Sequence, residues 1–460
     1  MITYSIIQKS QLEGAKRMDA EYYKPEYLNS VKIIEKYGYK NLGDLLEILT
    51  DYHANGSYEV LKRNVQLSNK HNFALMVRSV DLETGNFDTD VRYVSEKAYN
   101  FLKKTKVFGR EIFIDKIGNT GAVYLMPKLN RPVTLGMNLF MLRLKEEIDP
   151  EFLYVFLNSK LGKSLISQRI TGAVPTSIDK ASVRSIKVPV ISRSFSNEIR
   201  QLVKKTFVLK EESKSFYFQA ENLLLEELGL KNFESKSRLW SVVNLSEAKK
   251  VNRIDAEYFQ PKYQKILSLI RANGGIALGE LATVKKGFEP GSEAYQEEGK
   301  LFIRVSSVSK DGITNKDQKY LKDELYNELK KDYQPKVGEI LLTKDASPGI
   351  AYVVKEPIEG IVSGGVLRVK VKDNIEPEYC ALVINSIVGQ SQVERDAGGS
   401  IIAHWKPDQV KELQVPILSK PTQQKIADFV QKSHEARKEA KELLEEAKHK
   451  VEEMIESKNK

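Results

Sequence analysis

Glu111, Asp115 and Lys116 have the side-chain types that a metal-dependent nuclease brings to Mg²⁺, with two carboxylates for the ion and a cation for the scissile phosphate. The matching stretch further along the chain is Glu339, Thr343 and Lys344, which lacks the second carboxylate. Other catalytic patterns are missing. The chain has no Gly-rich loop followed by Lys-Ser/Thr, no dinucleotide fingerprint after a strand, no HExxH and no CxxC. It has no Pro-Pro pair, and so lacks the (Asn/Asp/Ser)-Pro-Pro-(Tyr/Phe) tetrapeptide with which amino-methyltransferases hold a target amine. A non-catalytic protein is expected, without metal or cofactor. The alternatives from other classes are a stand-alone nuclease using Glu111, Asp115 and Lys116, and a coiled-coil adaptor with no DNA role.

Groups suited to reading nucleic acid are more regular. Lys116-Ile117-Gly118-Asn119-Thr120-Gly121 and Lys344-Asp345-Ala346-Ser347-Pro348-Gly349 each join two strand-like runs, and turns are where a rigid scaffold presents such groups. Lys116 and Lys344 suit phosphate oxygens, whereas Asn119, Thr120, Asp345 and Ser347 are short hydrogen-bonding groups able to meet base edges. The same residues also make ordinary hairpin turns. Arg78 and Arg304 end two matched apolar pairs, where a guanidinium fork serves either guanine O6 and N7 or a structural salt bridge. Thr171–Ser177 and Ala397–Lys406 form a second matched loop, combining Gly with small hydroxyl residues. Thr176, Ser400, His404 and Lys406 are its candidate DNA contacts, and Trp405 is read as a core residue. Arg17-Met18-Asp19-Ala20-Glu21-Tyr22 and Arg253-Ile254-Asp255-Ala256-Glu257-Tyr258 look chemical, but each precedes an amphipathic segment. They are read as a structural junction or a partner-docking surface, with Arg17, Tyr22, Arg253 and Tyr258 as candidates.

These loops need a scaffold, and composition says what kind. The 460 residues allow two to four domains with full cores, and 41 % hydrophobic with 29 % charged residues is ordinary for a globular chain. With 72 basic against 62 acidic side chains the formal charge is +10, which permits a polyanionic partner. The single cysteine, Cys380, and five histidines without zinc-ligand spacing point to a reducing compartment and no zinc site. No apolar run approaches the ~18 residues that span a bilayer, and the first residues do not resemble a secretion signal. A cytoplasmic protein without membrane contact is expected.

The chain is written twice. Arg17–Tyr27 recurs as Arg253–Tyr263 at an offset of 236, with most positions identical. Leu42-Gly43-Asp44-Leu45 then matches Leu278-Gly279-Glu280-Leu281, and Pro150-Glu151-Phe152 matches Pro377-Glu378-Tyr379. Val188-Pro189-Val190 and Val415-Pro416-Ile417 close the series at an offset of 227. Within each copy short β-branched and aromatic runs such as Glu111–Ile114, Gly121–Leu125, Glu339–Thr343 and Val366–Val371 predict strands of a mixed α+β (α/β) globule. Short helices are predicted over Pro150–Lys160 and Pro377–Ile387. A long helix follows each globule. Its seam in the second copy is Phe429, Ser433, Ala436, Ala440, Leu443, Ala447, Val451 and Met454. In the first it is Ile199, Val203, Thr206, Lys210, Ser213, Tyr217, Ala220 and Leu224, a more polar series that stops near Gly229.

On these residues the chain resembles, over nearly its whole length, the specificity subunit of type I restriction-modification systems. The resemblance is carried by the two Arg-x-Asp-Ala-Glu-Tyr segments, the Leu-Gly-(Asp/Glu)-Leu starts, Glu376–Tyr379 to Asn385-Ser386, Gly398-Gly399-Ser400, Val415-Pro416-Ile417 and Pro421–Ile426. It implies two tandem target-recognition domains, each followed by a long conserved helix, with the helices paired as an antiparallel coiled coil. The expected boundaries are 1–192 and 193–235 for the first globule and helix, and 236–418 and 419–460 for the second. It further implies double-stranded DNA read as a bipartite, asymmetric site, two DNA methyltransferase subunits as partners, and a restriction and motor subunit able to join. Leu443 and Val451 of the seam are the expected docking residues for those partners. The first copy departs from the pattern at Ser194–Ile199, which lacks the Pro and Gln of the second.

Overall fold

The computed structural model describes residues 4–15, 17–231, 233, 240–314, 317–398 and 403–457. By internal contact the chain forms two compact units, Met1–Val208 with Glu439–Lys460, and Leu209–Lys438. Helix and strand are mixed in both.

In the first unit Leu46–Asp51, Leu139–Leu144, Ile112–Asp115 and Val123–Leu125 lie side by side in that order, all antiparallel. Every residue of Ile112–Asp115 is buried, as expected for a central strand of branched and aromatic residues covered on both faces. The second sheet has the order Arg92–Val94, Ala74–Val77, Val133–Leu135, Lys106–Val107, and its central pair is parallel. A two-stranded ribbon, Tyr39–Asn41 with Lys187–Pro189, ties the start of the globule to its end.

The second unit repeats this plan. Ala282–Lys286, Val366–Val371, Ile340–Thr343 and Ala351–Val353 form the antiparallel sheet. Lys319–Leu321, Lys300–Ile303 and Gly360–Val362 form the other, with the last two again parallel. Ile276–Ala277 with Gln414–Val415 is the closing ribbon. Strand ends fall within two residues of the expected runs.

Each predicted short helix ends within two residues of its expected bound and is followed by a second helix that was not expected. Pro150–Asn158 stops at Ser159, whose hydroxyl accepts from the Gly162 N–H at 3.2 Å and so caps a second helix, Lys160–Ser167. Ser386 does the same between Pro377–Asn385 and Ile387–Asp396, accepting from Val388. The corner is tight: a Cβ on Gly162 would run into the Phe156 carbonyl, and one on Gly389 into that of Ile384.

The long helices run Arg193–Glu227 and Lys420–Ser457. Both begin at an equivalent serine. Ser192 accepts from the Phe195 N–H and Ser419 from the Thr422 N–H, so the first helix needs no proline at its start. Within each unit the helix segments pair antiparallel. In the first, Glu198 meets Lys450 and Lys205 meets Glu439. In the second, the buried hydroxyls of Ser213 and Ser433 lie 3.0 Å apart and Ser433 also donates to the Ser213 carbonyl.

Ile199, Val203, Thr206, Ser213, Ala220 and Leu224 are buried, as are Ser433, Ala436, Ala440, Ala447 and Val451. One seam position shifts. Leu209 is buried where Lys210 was expected, and Lys210 is exposed, because a straight 3.6-residue period drifts against a strict heptad. Val451 packs in the core of its own unit with Ile199, Val203 and Ile455, so its expected role as a docking residue is corrected: no surface of it is left for a partner. Leu443 is half-buried. Among the described residues no helix is long and apolar enough to cross a membrane.

Candidate nucleic-acid interface

Parallel pairing brings the C-terminal ends of two strands to the same edge, so the loops that follow them are neighbours. In the first unit these loops start at Arg78 and Gly136, and the Gly136 N–H donates to the Val77 carbonyl at 2.8 Å. Lys116 then donates its N–H to the Asn138 carbonyl at 2.7 Å, which sets the Lys116–Gly121 turn against them. Ile178 donates to the Lys116 carbonyl at 3.2 Å and closes the fourth side with Thr171–Ser177.

Each of these bonds has its twin in the second unit. Ser363 donates to Ile303 at 2.9 Å, Lys344 to Gly365 at 3.0 Å, and Trp405 to Lys344 at 2.8 Å. The two turns that the sequence singled out in each copy are therefore one site. Gly121 and Gly349 complete the match. Both have positive φ, +85° and +89°, and a Cβ on either would meet the following helix at Ile166 or Val393.

The side chains on this shared frame differ. In the first unit Thr120 donates to the Thr176 carbonyl at 2.9 Å, and the two hydroxyls lie 3.0 Å apart. Asn119 is exposed at the tip. Lys116 and Lys180 both bind the Asp51 carboxylate, at 3.0 and 3.2 Å. Burial acts to raise the Asp51 pKa, but the two ammonium groups outweigh it and hold the carboxyl below its usual range. Two cations sharing one anion leave a net positive site, suited to a phosphate. Arg78 forks onto Asp81, at 2.7 and 3.1 Å, and also reaches the Asp90 carbonyl.

In the second unit Arg304 lies over the Tyr295 ring, 5.6 Å from its centroid, and contacts Asp317 at 3.1 Å. It lines a cleft of about 550 Å³ together with Ser306, Ser347, Ser363 and Gly364. Lys344 pairs with Asp345 at 2.5 Å, and the other Asp345 oxygen is 2.8 Å from His404 Nδ1. His404 and Lys406 are exposed, Trp405 is fully buried, and Ser400 lies outside the described residues.

The three nuclease candidates do not converge. Glu111 accepts from the N–H groups of Phe108 and Gly109 and from Arg143 at 3.1 Å. Asp115 is buried under the hydroxyls of Ser79 and Tyr124. That burial raises the Asp115 pKa, and burial with the neighbouring Asp115 charge raises that of Tyr124. Lys116 faces Asp51. At ~3.3 Å per residue, Glu111 and Asp115 stand ~13 Å apart along the strand, too far to share one ion. Among the described residues no group of three or more His, Cys, Asp or Glu could hold a metal.

Arg17 and Arg253 anchor their motifs identically. Arg17 binds Asp19 through two bonds, stacks 4.9 Å from the Tyr22 centroid and reaches the Ile170 carbonyl at 3.4 Å. Arg253 binds Asp255, stacks 4.6 Å from Tyr258 and reaches the Arg395 carbonyl at 3.1 Å. Each motif thus sits at the root of a candidate reading loop. Sequence reasoning missed Asp51, Lys180, Tyr295, Asp317 and the Gly136–Asn138 and Ser363–Gly365 loops. No local pattern marked them, because those loops meet only through parallel pairing of strands about sixty residues apart.

A four-loop frame duplicated in one chain, with exposed hydrogen-bonding groups, describes a bipartite recognition protein. Comparison with known families agrees. The model for the type I restriction modification DNA specificity domain matches residues 34–227 and 275–448, and the chain belongs to that family. It is a DNA sequence-recognition subunit, and such subunits are not themselves catalytic.

Among solved structures it is similar to a type I restriction-modification S subunit from M. genitalium, at 15 % identity over 92 % of this chain and 95 % of that one, TM-score 0.40. It is also similar to the HsdS subunit from Thermoanaerobacter tengcongensis, at 12 % identity over 92 % and 96 %, TM-score 0.28. Comparison with curated proteins gives no match.

Proposed function

We propose that each unit reads one half of an asymmetric, bipartite double-stranded DNA site, and that the chain positions two DNA methyltransferase subunits on that site. The observation that carries this reading is the four-loop frame, which keeps its backbone hydrogen bonds in both copies while its side chains diverge. A frame held constant with different reading groups is what two unlike half-sites require.

The recognition segments are 1–192 and 236–418, and the segments 193–235 and 419–460 carry the long helices Arg193–Glu227 and Lys420–Ser457. Lys116 and Lys344 serve phosphate. Asn119, Thr120, Thr176, Ser347, Ser400, His404 and Lys406 serve base edges or sugar-phosphate, and Arg78 and Arg304 exchange their present acidic partners for DNA. Leu443, on the helix Lys420–Ser457, contributes to methyltransferase docking. A restriction and motor subunit joins the assembled complex, which works in the cytoplasm where its DNA is.

Comparing the methylomes of cells with and without the gene tests this. One split adenine-methylated motif should vanish on deletion; an unchanged methylome overturns the reading. Cleavage of DNA by the purified chain alone with Mg²⁺ would instead revive the nuclease.

A further inference from the structure

Each copy begins with an exposed arm that the reading function does not use. Residues 4–8 are neither helix nor strand and lead into the helix Lys9–Ala15, and residues 240–244 lead likewise into Leu245–Val251. The two arms superpose in sequence at the offset of 236 that relates the Arg-x-Asp-Ala-Glu-Tyr motifs. Tyr4, Ile6 and Met18 fall on Trp240, Val242 and Ile254. These are among the most exposed large apolar side chains of the protein: 78, 92 and 91 % in the first arm, and 69, 87 and 91 % in the second.

A single exposed apolar residue needs no explanation. Three at matched positions, each apolar in both copies although none is identical, do. Local structure accounts for the rest of the motif. Arg17 and Asp19 hold each other, Tyr22 carries the guanidinium, Tyr23 and Phe259 are buried, and Ser5 donates to the Tyr23 carbonyl at 2.5 Å. Among the described residues, no packing inside the unit accounts for Tyr4, Ile6, Met18 or their twins.

We infer that these two arms are docking surfaces for the methyltransferase subunits, one subunit seated on each arm; this rests on the reading proposed above. Charge argues for protein over DNA. Residues 4–24 carry four cationic and three anionic side chains and residues 240–260 three of each, so neither arm offers the cationic excess that phosphate contacts demand. Duplication argues for one partner bound twice. Position argues for which partner. Arg17 and Arg253 bind the carbonyls of Ile170 and Arg395, just before the reading loops at Thr171 and Ala397, and Gln168 donates to the Tyr22 carbonyl at 3.1 Å. A subunit on the arm lies beside the bases being read, as an enzyme that modifies one of them must. The surface it needs is an apolar pocket for one aromatic ring flanked by two aliphatic contacts.

The test uses the full chain purified with its methyltransferase subunit, native mass spectrometry counting subunits per chain. Tyr4→Ser with Ile6→Ser, and Trp240→Ser with Val242→Ser, should each lower the occupancy from two to one, with an affinity loss of roughly thirtyfold at the altered arm, the effect expected of aromatic anchors. All four together should leave none. The altered side chains are exposed, so thermal melts stay unchanged. Val337→Ser, an exposed apolar change in neither arm, should leave two subunits bound. Full occupancy in the fourfold variant overturns the inference while leaving the proposed function intact. Failure of the unaltered chain to bind any methyltransferase overturns the proposed function itself. Loss of self-association by the chain alone, with methyltransferase number unchanged, assigns the arms to a second copy and also overturns the inference.

Discussion

The candidate site of the first unit closes its loops on each other through hydroxyls and shares two lysines over one carboxylate. The second holds an arginine over a tyrosine at the mouth of a cleft and pairs its lysine one-to-one. Their backbone frames are the same. The difference teaches that in this fold the side chains of the site are separable from its architecture: main-chain bonds such as Lys116 N–H to Asn138 and Lys344 N–H to Gly365 tolerate almost any turn side chain.

Supporting positions diverge in the same way. Gln423 donates to the Leu418 carbonyl and accepts from the Glu376 N–H at the start of the second long helix. Its counterpart Ser196 is too short to span this and instead donates to Asp149 at 2.6 Å, a carboxylate that also accepts from Arg200. A groove of about 570 Å³ lined by Asp149, Ser196 and Arg200 lies there in the first unit.

The sharpest way to break the comparison is at the buried ion pairs beneath the two frames. Arg368 binds Glu339 through two bonds at 2.8 and 2.9 Å with both side chains buried; burial works to raise the Glu339 pKa, but Arg368 keeps it low. Arg368→Ala should destabilise the second unit by about 3–5 kcal/mol, because Glu339 is left charged and unpaired. Arg143, the partner of Glu111, is a quarter exposed, and Arg143→Ala should cost only about 1–3 kcal/mol. Denaturant unfolding followed by tryptophan fluorescence reports the second unit, where both tryptophans, Trp240 and Trp405, lie, and hydrogen exchange of the central-strand amides of Ile112–Asp115 reports the first. Equal losses in the two units would refute the ranking.

Acid should separate the units next. His434 sits against the Tyr352 ring and near Lys355, and burial first, then the Lys355 charge, lowers its pKa to about 4. The unfolded chain takes up that proton near 6.5 and the folded unit does not until about 4, so stability is lost as pH falls through this window. The loss in the second unit is up to about 3 kcal/mol, and His434→Phe should abolish it. Phe207 holds the equivalent place in the first unit, where no such loss is expected. A flat pH profile for the second unit would contradict this.

Specificity comes third. Arg304→Ala or Ser347→Ala should cost about 1–3 kcal/mol at base positions in one half of the DNA site, and Asn119→Ala should act only in the other half. Methylome sequencing of the variants decides, and a change in both halves would show that the units do not read independently. The smallest effect concerns charge. Lys116→Ala should weaken DNA binding uniformly and flatten the salt dependence by about one unit of slope. Lys344→Ala should do less, its charge being already matched by Asp345.

Much of this was open to sequence reasoning wherever the signal is local. Turn composition located Lys116–Gly121 and Lys344–Gly349, strand runs such as Val366–Val371 were placed to the residue, and Trp405 proved buried as read. The end of the helix near Ser159 was legible, but the second helix beyond it was not, because a serine that ends one helix is seen to cap another only once the corner forms. The seam slipped from Lys210 to Leu209 because a heptad read from one chain cannot register the drift that a partner helix corrects.

The amino-acid sequence by itself determined the duplication, the strand-and-helix alternation and the absence of catalytic motifs, since these depend on residue types and spacings along the chain. Only the tertiary structure decided that four separate loops make one site, that Asp51 and Lys180 belong to it, and that Glu111 and Asp115 do not share an ion. Those facts rest on hydrogen bonds and ion pairs between residues tens of positions apart, such as Lys116 with Asp51 and Trp405 with Lys344, which no local pattern encodes.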